Sequence, residues 1–195
     1  MGKSDDIQHS ILIISSSEQF DSLIRHSLTP GRFSAIETIR NASSARRWIL
    51  ERYCDIVAIN APLVDEMGVE LAADIAQKMS ACILLVVPKE IYEDVSDRMT
   101  DMGIYVVPKP FPKGRLDKAV RFVISISDRL RKLESQITKT EDKLEELRIV
   151  SKTKLLLVER EHMSEDDAHR LIGKIAMDNG ISRGRAAQRL MEDME

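Results

Sequence analysis

The chain has 195 residues, of which 43% are hydrophobic and 31% are charged. This composition predicts one or two globular, soluble domains and excludes a disordered chain. The formal net charge is −3, so any binding to nucleic acid must depend on a local basic patch. No run of about 18 apolar residues is present, which predicts no membrane span. Since no signal-peptide pattern is seen either, the default expectation is a cytoplasmic protein.

The first half of the sequence alternates short apolar runs with helix-like segments. Continuous apolar runs such as residues 11–14 are typical of strands that are buried on both faces of a parallel sheet. Strands are predicted at residues 9–15, 33–39, 55–60, 82–87 and 104–107, and helices at 17–28, 42–52, 69–79 and 91–102. This alternation predicts a doubly wound α/β domain with a five-stranded parallel sheet.

The two cysteines, Cys54 and Cys82, each open a strand-like run. Both are therefore expected to be buried thiols. Two cysteines in a chain of this size make neither a disulfide framework nor a zinc site.

The character of the sequence changes after residue 112. No glycine or proline occurs between Gly114 and Gly173, which predicts a long helix. Apolar residues recur there at alternating spacings of four and three, as the a and d positions of a coiled coil do. The seam consists of Ile126, Leu130, Leu133, Ile137, Leu144 and Leu147, with Thr140 as a polar interruption. We predict a coiled-coil linker helix over residues 123–147 and a homodimer, parallel or antiparallel. The alternative is a helix that packs on its own domain.

Two shorter helices are predicted after the long one. Ser164 with Asp167 three residues later fits a capping box. Asn179-Gly180 is typical of a helix end, and Ser182 can cap a last helix. With the end of the long helix, these two segments predict an all-α three-helix bundle over residues 148–195.

Three local motifs occur in the first half in a characteristic order. They are the apolar run 11–14 followed by Ser15-Ser16, the strand 55–60 followed by Pro62 and Gly68, and the run 107–111 with Lys109-Pro110-Phe111. On these motifs, residues 8–122 resemble the response-regulator receiver family. The resemblance implies a flavodoxin-like fold for a domain at residues 1–122, and a cis Lys109–Pro110 bond, which X-Pro bonds permit.

The charged residues that a receiver uses for phosphorylation are missing from the matching positions. The family has two carboxylates that hold Mg²⁺ and an aspartate that accepts the phosphoryl group, and here Ser15, Ser16 and Asn60 stand in their places. Hydroxyls supply no negative charge to a hard cation, and an amide is not a carboxylate nucleophile. The small hydroxyl residue after the fourth strand is replaced by valine, at position 86 or 87.

Lys109 remains in this degenerate phosphoacceptor pocket of Ser15, Ser16, Asn60 and Lys109. We expect it to make a structural hydrogen bond, with Asn60 as the first candidate partner. The sequence thus predicts a pseudo-receiver, switched by a regulatory protein, a small molecule or a change of dimer state. The alternative is that Asp65 or Glu66 takes over as ligand or acceptor.

The C-terminal segment carries a second set of matches. They are Ser151-Lys152, Leu155-Leu156, Ser164-Glu165, Ala168-His169, Leu171, Ala176-Met177 and Ala187. On these residues, the segment 147–191 resembles the ANTAR family of RNA-binding antiterminator domains. The resemblance implies binding to paired short stem-loops in nascent transcripts. The family favours alanine where Ser151 stands and tyrosine where His169 stands, which puts residue roles at these two positions in doubt.

Basic residues give independent support, because each predicted bundle helix carries a pair spaced four apart on one face. We expect the pairs to lie beside the apolar faces and to flank one groove, with Arg160 adding to them. The predicted RNA-binding residues are Arg148, Lys152, His169, Arg170, Lys174, Arg183, Arg185 and Arg189. Residues 148–195 also hold nine acidic and nine basic residues, so an ordinary solvated surface is the alternative. His162 and His169 have no further partners that would make a metal site.

These features together predict a transcription antitermination regulator. We expect no enzyme activity, since no nucleophile with an adjacent base is visible, and no cofactor or metal. The expected partners are stem-loop RNA, a second copy of the chain, and a regulatory protein on the pseudo-receiver, with no membrane. One alternative is a phosphorylation-independent DNA-binding regulator that uses residues 182–191 as a recognition helix. Another is an adaptor that binds proteins through the pseudo-receiver.

Overall fold

The computed structural model describes residues 8–194, apart from the side chain of residue 113. The chain divides into two compact units between Arg131 and Lys132. The strands are β1 (His9–Ile14), β2 (Phe33–Ile39), β3 (Ile56–Asn60), β4 (Cys82–Pro88) and β5 (Tyr105–Lys109). The helices are α1 (Glu18–Ser27), α2 (Ala42–Glu51), α3 (Val69–Lys78), α4 (Lys89–Asp101), α5 (Lys113–Glu161), α6 (Glu165–Asp178) and α7 (Arg183–Met194).

The five strands form one parallel sheet in the order β2-β1-β3-β4-β5. Side chains of a strand alternate between its two faces, and two separate apolar clusters follow from this. Leu12 and Ile14 of β1 pack in the cluster with α2, α3 and α4. Ile11 and Ile13 pack in the cluster with α1 and the first part of α5. The doubly wound parallel fold that the sequence predicts is therefore confirmed.

The predicted element bounds need small corrections around two prolines. β5 continues through Pro108 to Lys109, two residues past its predicted end. Proline is tolerated there because β5 is an edge strand of the sheet. One side of β5 has no neighbouring strand, so the missing N–H of a proline breaks no hydrogen bond there. Pro88 ends β4, and α4 begins directly after it at Lys89 rather than at residue 91. Both cysteines are buried, as expected.

Two groups of ion pairs join α5 to residues in and next to the strands β1, β2 and β3, and the sequence analysis predicted neither. Arg131 donates from Nε and Nη2 to the two carboxylate oxygens of Asp55, at 2.8 and 2.7 Å. Asp55 is 3% exposed and also accepts from the backbone N–H and hydroxyl of Ser10. Asp128 pairs with Arg32 through both oxygens and with the fully buried His9 at 2.8 Å. We call the pairs Asp55–Arg131 and His9–Asp128–Arg32 the α5 clasp.

The second unit is built from the end of α5 together with α6 and α7. Its core consists of Leu157, Ala168, Ile172, Ala176, Ala186 and Ala187. Small alanines at the centre let the three helices approach closely. The predicted helix starts are confirmed, since Ser164 accepts from Asp167 N at 3.1 Å and Ser182 accepts from Arg185 N at 3.3 Å. The capping box differs in one bond, because the Asp167 carboxylate accepts from the Ser164 hydroxyl rather than from its backbone N–H.

Among residues 8–194, no helix combines the length and apolar character that crossing a membrane requires.

Breaking the α5 clasp should destabilise the first unit. In Arg131→Met the nearly buried Asp55 carboxylate loses its ion partner, which we expect to cost about 2–4 kcal/mol. Urea unfolding followed by the fluorescence of Trp48, the only tryptophan, reports on this unit. The control is Arg121→Met, which removes an exposed pair with Asp117 on the same helix and should cost less than about 0.5 kcal/mol. Equal losses in the two variants would contradict the role of the clasp.

The clasp should also make the first unit sensitive to acid. Burial opposes ionisation of Asp55 and Asp128, but hydrogen bonds from Ser10 and Arg131, and from Arg32 and His9, keep the pKa of each below its ordinary 3.8. The unfolded chain therefore takes up protons at a higher pH than the folded chain does. The resulting stability is fully present above about pH 4 and is lost as the pH falls below it.

The measurement is the free energy of unfolding as a function of pH, in wild type and in Asp55→Asn. We expect the wild type to lose stability more steeply below about pH 4 than the variant, which cannot ionise at this position. Parallel curves would show that Asp55 does not contribute.

Candidate functional sites

Ser15 and Asn60 lie side by side at the ends of β1 and β3, as the degenerate pocket requires. Asn60 donates from Nδ2 to the Ser15 hydroxyl at 3.0 Å, and Ser17 N donates to the same hydroxyl at 3.0 Å. Both side chains are buried, whereas Ser16 is exposed. Asn60 Oδ1 has no hydrogen-bond partner among the described residues. The pocket is thus held by neutral hydrogen bonds.

Lys109 makes a structural hydrogen bond, but its partner is not Asn60. Its Nζ donates to the carbonyl of Ala61 at 2.6 Å, which corrects the expected pairing. Asn60 Oδ1, the atom that could accept from a lysine, has no hydrogen-bond partner among the described residues. Burial lowers the pKa of Lys109. The Lys109–Pro110 bond is cis, as the resemblance implied, and Ala61–Pro62 is cis as well.

The sequence analysis missed an ion pair beside this pocket, between a buried aspartate and an exposed arginine. Asp21 of α1 pairs with Arg40, and Arg40 also donates to the carbonyl of Ser15 at 2.9 Å. Asp21 is 6% exposed. Its position on the buried side of α1, with Phe20 and Ile24, was the feature of the sequence that could have indicated a buried charge with a partner. Its charge is therefore already compensated by a residue of the chain itself.

The donor set does not fit the Mg²⁺ ion that the receiver family uses. Ser15, Ser16 and Asn60 bring hydroxyls and an amide, and a hard divalent cation prefers carboxylates. Within residues 8–194, no group of three His, Cys, Asp or Glu side chains is placed to hold a metal ion.

The two loop carboxylates that could have replaced the missing acids have structural partners instead. Asp65 accepts from the backbone N–H groups of Ala42 and Ser43 at 2.8 and 2.9 Å and caps α2. These two bonds, with the Ser43 hydroxyl, lower the pKa of Asp65 to about 2. Glu66 pairs with Arg46 through both oxygens. The alternative in which either residue serves as ligand or phosphoryl acceptor therefore gains no support from the geometry.

The eight predicted RNA-binding side chains are all exposed in the second unit. The expectation that the pairs line a groove beside the core is wrong for α6 and α7. Arg170 and Lys174 lie two positions on either side of the buried Ile172, about 200° around the helix. Arg185 and Arg189 flank the buried Ala187 in the same way. Both pairs therefore face away from the core, toward solvent.

Three hydrogen bonds join α7 to the last part of α5 and show the direction in which the two helices run. Gly184 N donates to Glu146 at 3.0 Å, the Thr153 hydroxyl donates to Ala187 O at 3.2 Å, and Arg160 donates to Met194 O at 2.8 Å. Because residue numbers rise together on both helices, α7 runs parallel to this part of α5. Arg148 and Lys152 are therefore level with the first half of α7, which holds two of the three arginines of that helix.

Charge is unevenly distributed over this unit. The acids Glu165, Asp166 and Asp167 lie in the first turn of α6, where their negative charges interact favourably with the positive end of the helix dipole. Arg170 pairs with Asp167, and Arg148 contacts Glu145 at 3.7 Å. No hydrogen bond or ion pair to a described residue is made by the side chains of Lys152, Lys174, Arg183, Arg185 and Arg189. We call the basic side chains of α5 and α7, namely Arg148, Lys152, Arg183, Arg185 and Arg189, the α5–α7 basic surface.

Comparison with known proteins assigns both units. Residues 138–191 match the family described as the ANTAR domain. The C-terminal unit is an ANTAR domain. The chain is 28% identical over 142 residues to the transcriptional regulatory protein PdtaR of Mycobacterium tuberculosis, with 72% of this chain and 68% of PdtaR covered.

Solved structures resemble the first unit in fold. A signal receiver domain of an HD domain-containing protein from Pseudomonas fluorescens Pf-5 aligns with a TM-score of 0.54 at 23% identity, covering 65% of this chain and 93% of its own. A structure named adenylate cyclase from Rhodopirellula baltica aligns with a TM-score of 0.58 at 12% identity, covering 68% and 98%. At these identities the likeness shows the fold alone. The chain is thus a receiver fold followed by an ANTAR domain.

The degenerate pocket should not accept a phosphoryl group. Incubation with Mg²⁺ and radiolabelled acetyl phosphate should leave the protein unlabelled, because neither a carboxylate nucleophile nor a carboxylate metal ligand is in place. A phosphorylatable receiver domain is the positive control. Label that disappears in Asp65→Asn would show instead that this loop carboxylate is the acceptor.

Proposed function

We propose that this protein is a transcription antitermination regulator that binds stem-loop RNA in nascent transcripts. Binding would prevent a competing terminator hairpin from forming in the same RNA. In this proposal residues 1–122 are a pseudo-receiver, 123–147 a coiled-coil linker and 148–195 the RNA-binding domain. The protein acts as a regulator and not as an enzyme, and it works in the cytoplasm, where nascent bacterial transcripts are found.

The observation that carries the proposal is the α5–α7 basic surface of the ANTAR domain. Four of its five side chains, all except Arg148, have no partner among the described residues, so they are available to phosphates without breaking an internal ion pair. Arginine also stacks on unpaired loop bases and donates hydrogen bonds to their edges. The net charge of the chain is −3, and the attraction to RNA therefore has to be local.

Control of this activity is proposed to be independent of aspartate phosphorylation. The neutral contacts among Ser15, Asn60 and Ser17 support this, as does the internal pairing of Asp21 with Arg40. The input would then be a regulatory protein bound to the pseudo-receiver, or a change of dimer state.

The first experiment is recovery of RNA from cells by crosslinking and pull-down of the tagged protein, followed by sequencing. Enrichment of leader transcripts with paired stem-loops next to a terminator supports antitermination. Enrichment of DNA instead would favour the DNA-binding alternative with α7 as the recognition helix. If neither is recovered above an untagged control while proteins are, the adaptor alternative is favoured.

Removing two arginines of α7 should weaken RNA binding. Arg185→Ala/Arg189→Ala removes two side chains without partners from the exposed face of α7, so the bundle should stay folded. We expect the affinity for an enriched leader RNA to fall roughly 30-fold, and the dependence of log K on log salt to become shallower by about 2. Fluorescence anisotropy at several salt concentrations measures both.

The matched control is Lys78→Ala/Lys89→Ala, which removes the same charge from exposed positions in the receiver fold. This variant should bind RNA as the wild type does. Equal losses in both double variants would mean that only net charge matters and that the α5–α7 basic surface is not the site.

A further inference from the structure

A cavity of about 400 Å³ lies beside the first turn of α6 in the ANTAR domain. It is formed by the last part of α5, the connection that follows this helix, and the first residue of α6. The lining includes apolar and polar side chains, among them Leu155, Val158, Met163, Ser151, Lys154 and Glu165. A concave, largely apolar surface with a few polar groups is the usual form of a site for a small ligand.

The cavity adjoins the α5–α7 basic surface on the outward face of α5. Leu155 follows Lys152 by three residues and Arg148 by seven, so the three side chains lie within about 60° of one another around the helix. Leu155 is 62% exposed, whereas Leu157, about 200° away, is buried in the three-helix core. The exposed leucine therefore adds nothing to that core, and a group bound by Lys152 would lie next to it.

Two polar groups of the cavity are available to a ligand. The Ser151 hydroxyl makes no hydrogen bond with a described residue, whereas Thr153, the next hydroxyl on α5, donates to Ile149 O at 2.9 Å. Glu165 accepts from Lys154 Nζ through Oε1 at 2.6 Å, and its Oε2 makes no hydrogen bond within residues 8–194. The bond from Lys154 lowers the pKa of Glu165, so the open oxygen belongs to an ionised carboxylate at neutral pH.

This combination of groups fits an unpaired nucleobase. Apolar side chains can contact the flat face of a base, and hydroxyl and carboxylate groups can bond to its edge. Bases in an RNA helix are stacked and their edges are paired, so a base that enters the cavity has to come from a loop. A base of the same strand would be carried there when Lys152 or Arg148 binds the phosphate beside it.

The open carboxylate oxygen of Glu165 discriminates among the four bases. An ionised carboxylate accepts hydrogen bonds and donates none. Guanine, adenine and cytosine each carry an amino group that can donate to it, whereas the edge of uracil carries carbonyl oxygens on both sides of one ring N–H, and a carboxylate repels those oxygens. The Ser151 hydroxyl both donates and accepts, so it can bond to the ring nitrogen or carbonyl beside the amino group.

We propose that this cavity binds one unpaired loop base of the RNA, and that Glu165 and Ser151 select a base with an amino group over uracil. Leu155 contacts the face of the base, and Lys152 holds the adjoining phosphate. The inference rests on the proposed function and deepens it, because it names the part of the RNA that is read by sequence. Phosphate contacts position a nucleic acid without reading its sequence, so a separate site of this kind is what gives a sequence preference.

Selection from a pool of stem-loop RNAs with a fixed stem and a randomised loop tests the proposal on the full-length protein. The wild type should enrich loops in which one position is guanine, adenine or cytosine and not uracil. Glu165→Gln replaces the carboxylate by an amide that can also donate, so uracil should be accepted at this position while the other enriched positions stay as they are. Ser151→Ala should weaken the preference at the same position. If both variants enrich the same loops as the wild type, the proposal is wrong.

Leu155→Ala tests the contact with the face of the base. The affinity for a selected stem-loop should fall about tenfold, and the dependence of log K on log salt should stay unchanged because no charge is removed. The matched control is Met177→Ala, which removes an apolar side chain that is 78% exposed on α6 and does not line the cavity. This control should bind as the wild type does. Equal losses in the two variants, measured by fluorescence anisotropy, would show that the cavity is not the site.

An abasic nucleotide at the selected position separates the effect of the base from that of its phosphate. In the wild type this RNA should bind about tenfold more weakly than the selected one, and in Leu155→Ala the two RNAs should bind alike, because the contact is already lost. A wild type that enriches no loop above a pool without protein would refute RNA binding and this inference together. A wild type that enriches loops, with Leu155→Ala and Glu165→Gln both unchanged, would leave RNA binding standing and refute only the role of the cavity.

Discussion

The ion pair between the buried Asp55 and the partly buried Arg131 helps to determine which face the first part of α5, up to Arg131, turns toward the sheet. Asp55 stands directly before β3, where its carboxylate also receives the backbone N–H and hydroxyl of Ser10. Arg131 and Asp128 lie about 140° and 200° around α5 from Ile126. Within the first unit, the clasp therefore holds one face of α5 against the sheet, and Ile126 and Leu130 lie on the exposed side of the helix. An ordinary amphipathic helix buries its apolar stripe, and here that stripe is left open in the single chain.

The degenerate pocket shows how a receiver fold can persist without its acidic site. A cluster of carboxylates needs a cation to offset mutual repulsion, whereas the contacts here are neutral: Asn60 Nδ2 and the backbone N–H of Ser17 both donate to the Ser15 hydroxyl. The remaining acid beside them, Asp21, is offset by Arg40. Lys109 keeps a role by holding the carbonyl of Ala61. The fold at this edge thus depends on internal bonds, and nothing there requires a metal ion to be stable.

Features that depend on local sequence could be predicted, and side-chain pairings across the chain could not. Apolar runs located the strands, the seam spacing located α5, and Ser164 and Ser182 located the helix starts. The pairs Asp55–Arg131, Asp65 with the N-terminus of α2, and Lys109 with Ala61 join segments that are distant in sequence. Which residues pair in this way depends on how several helices and strands are placed in three dimensions, and the hydrophobic periodicity of a sequence does not contain that information. The prediction of a groove beside the basic pairs was wrong for a local reason. A residue two positions from a buried one lies about 200° around the helix, and therefore on the opposite face.

An overall balance of charge does not prevent the ANTAR domain from attracting RNA. Three of its nine acids, Glu165, Asp166 and Asp167, lie in the first turn of α6, and Glu165 and Asp167 pair with Lys154 and Arg170. The arginines of α7 are left without internal partners, so their interaction with phosphate is not offset by a broken bond. The five basic side chains of one ANTAR domain would still bind a short stem-loop weakly and with strong salt dependence. In a dimer, as the proposed function expects, two such domains would make the second RNA contact intramolecular, which would raise the avidity for an RNA with paired stem-loops.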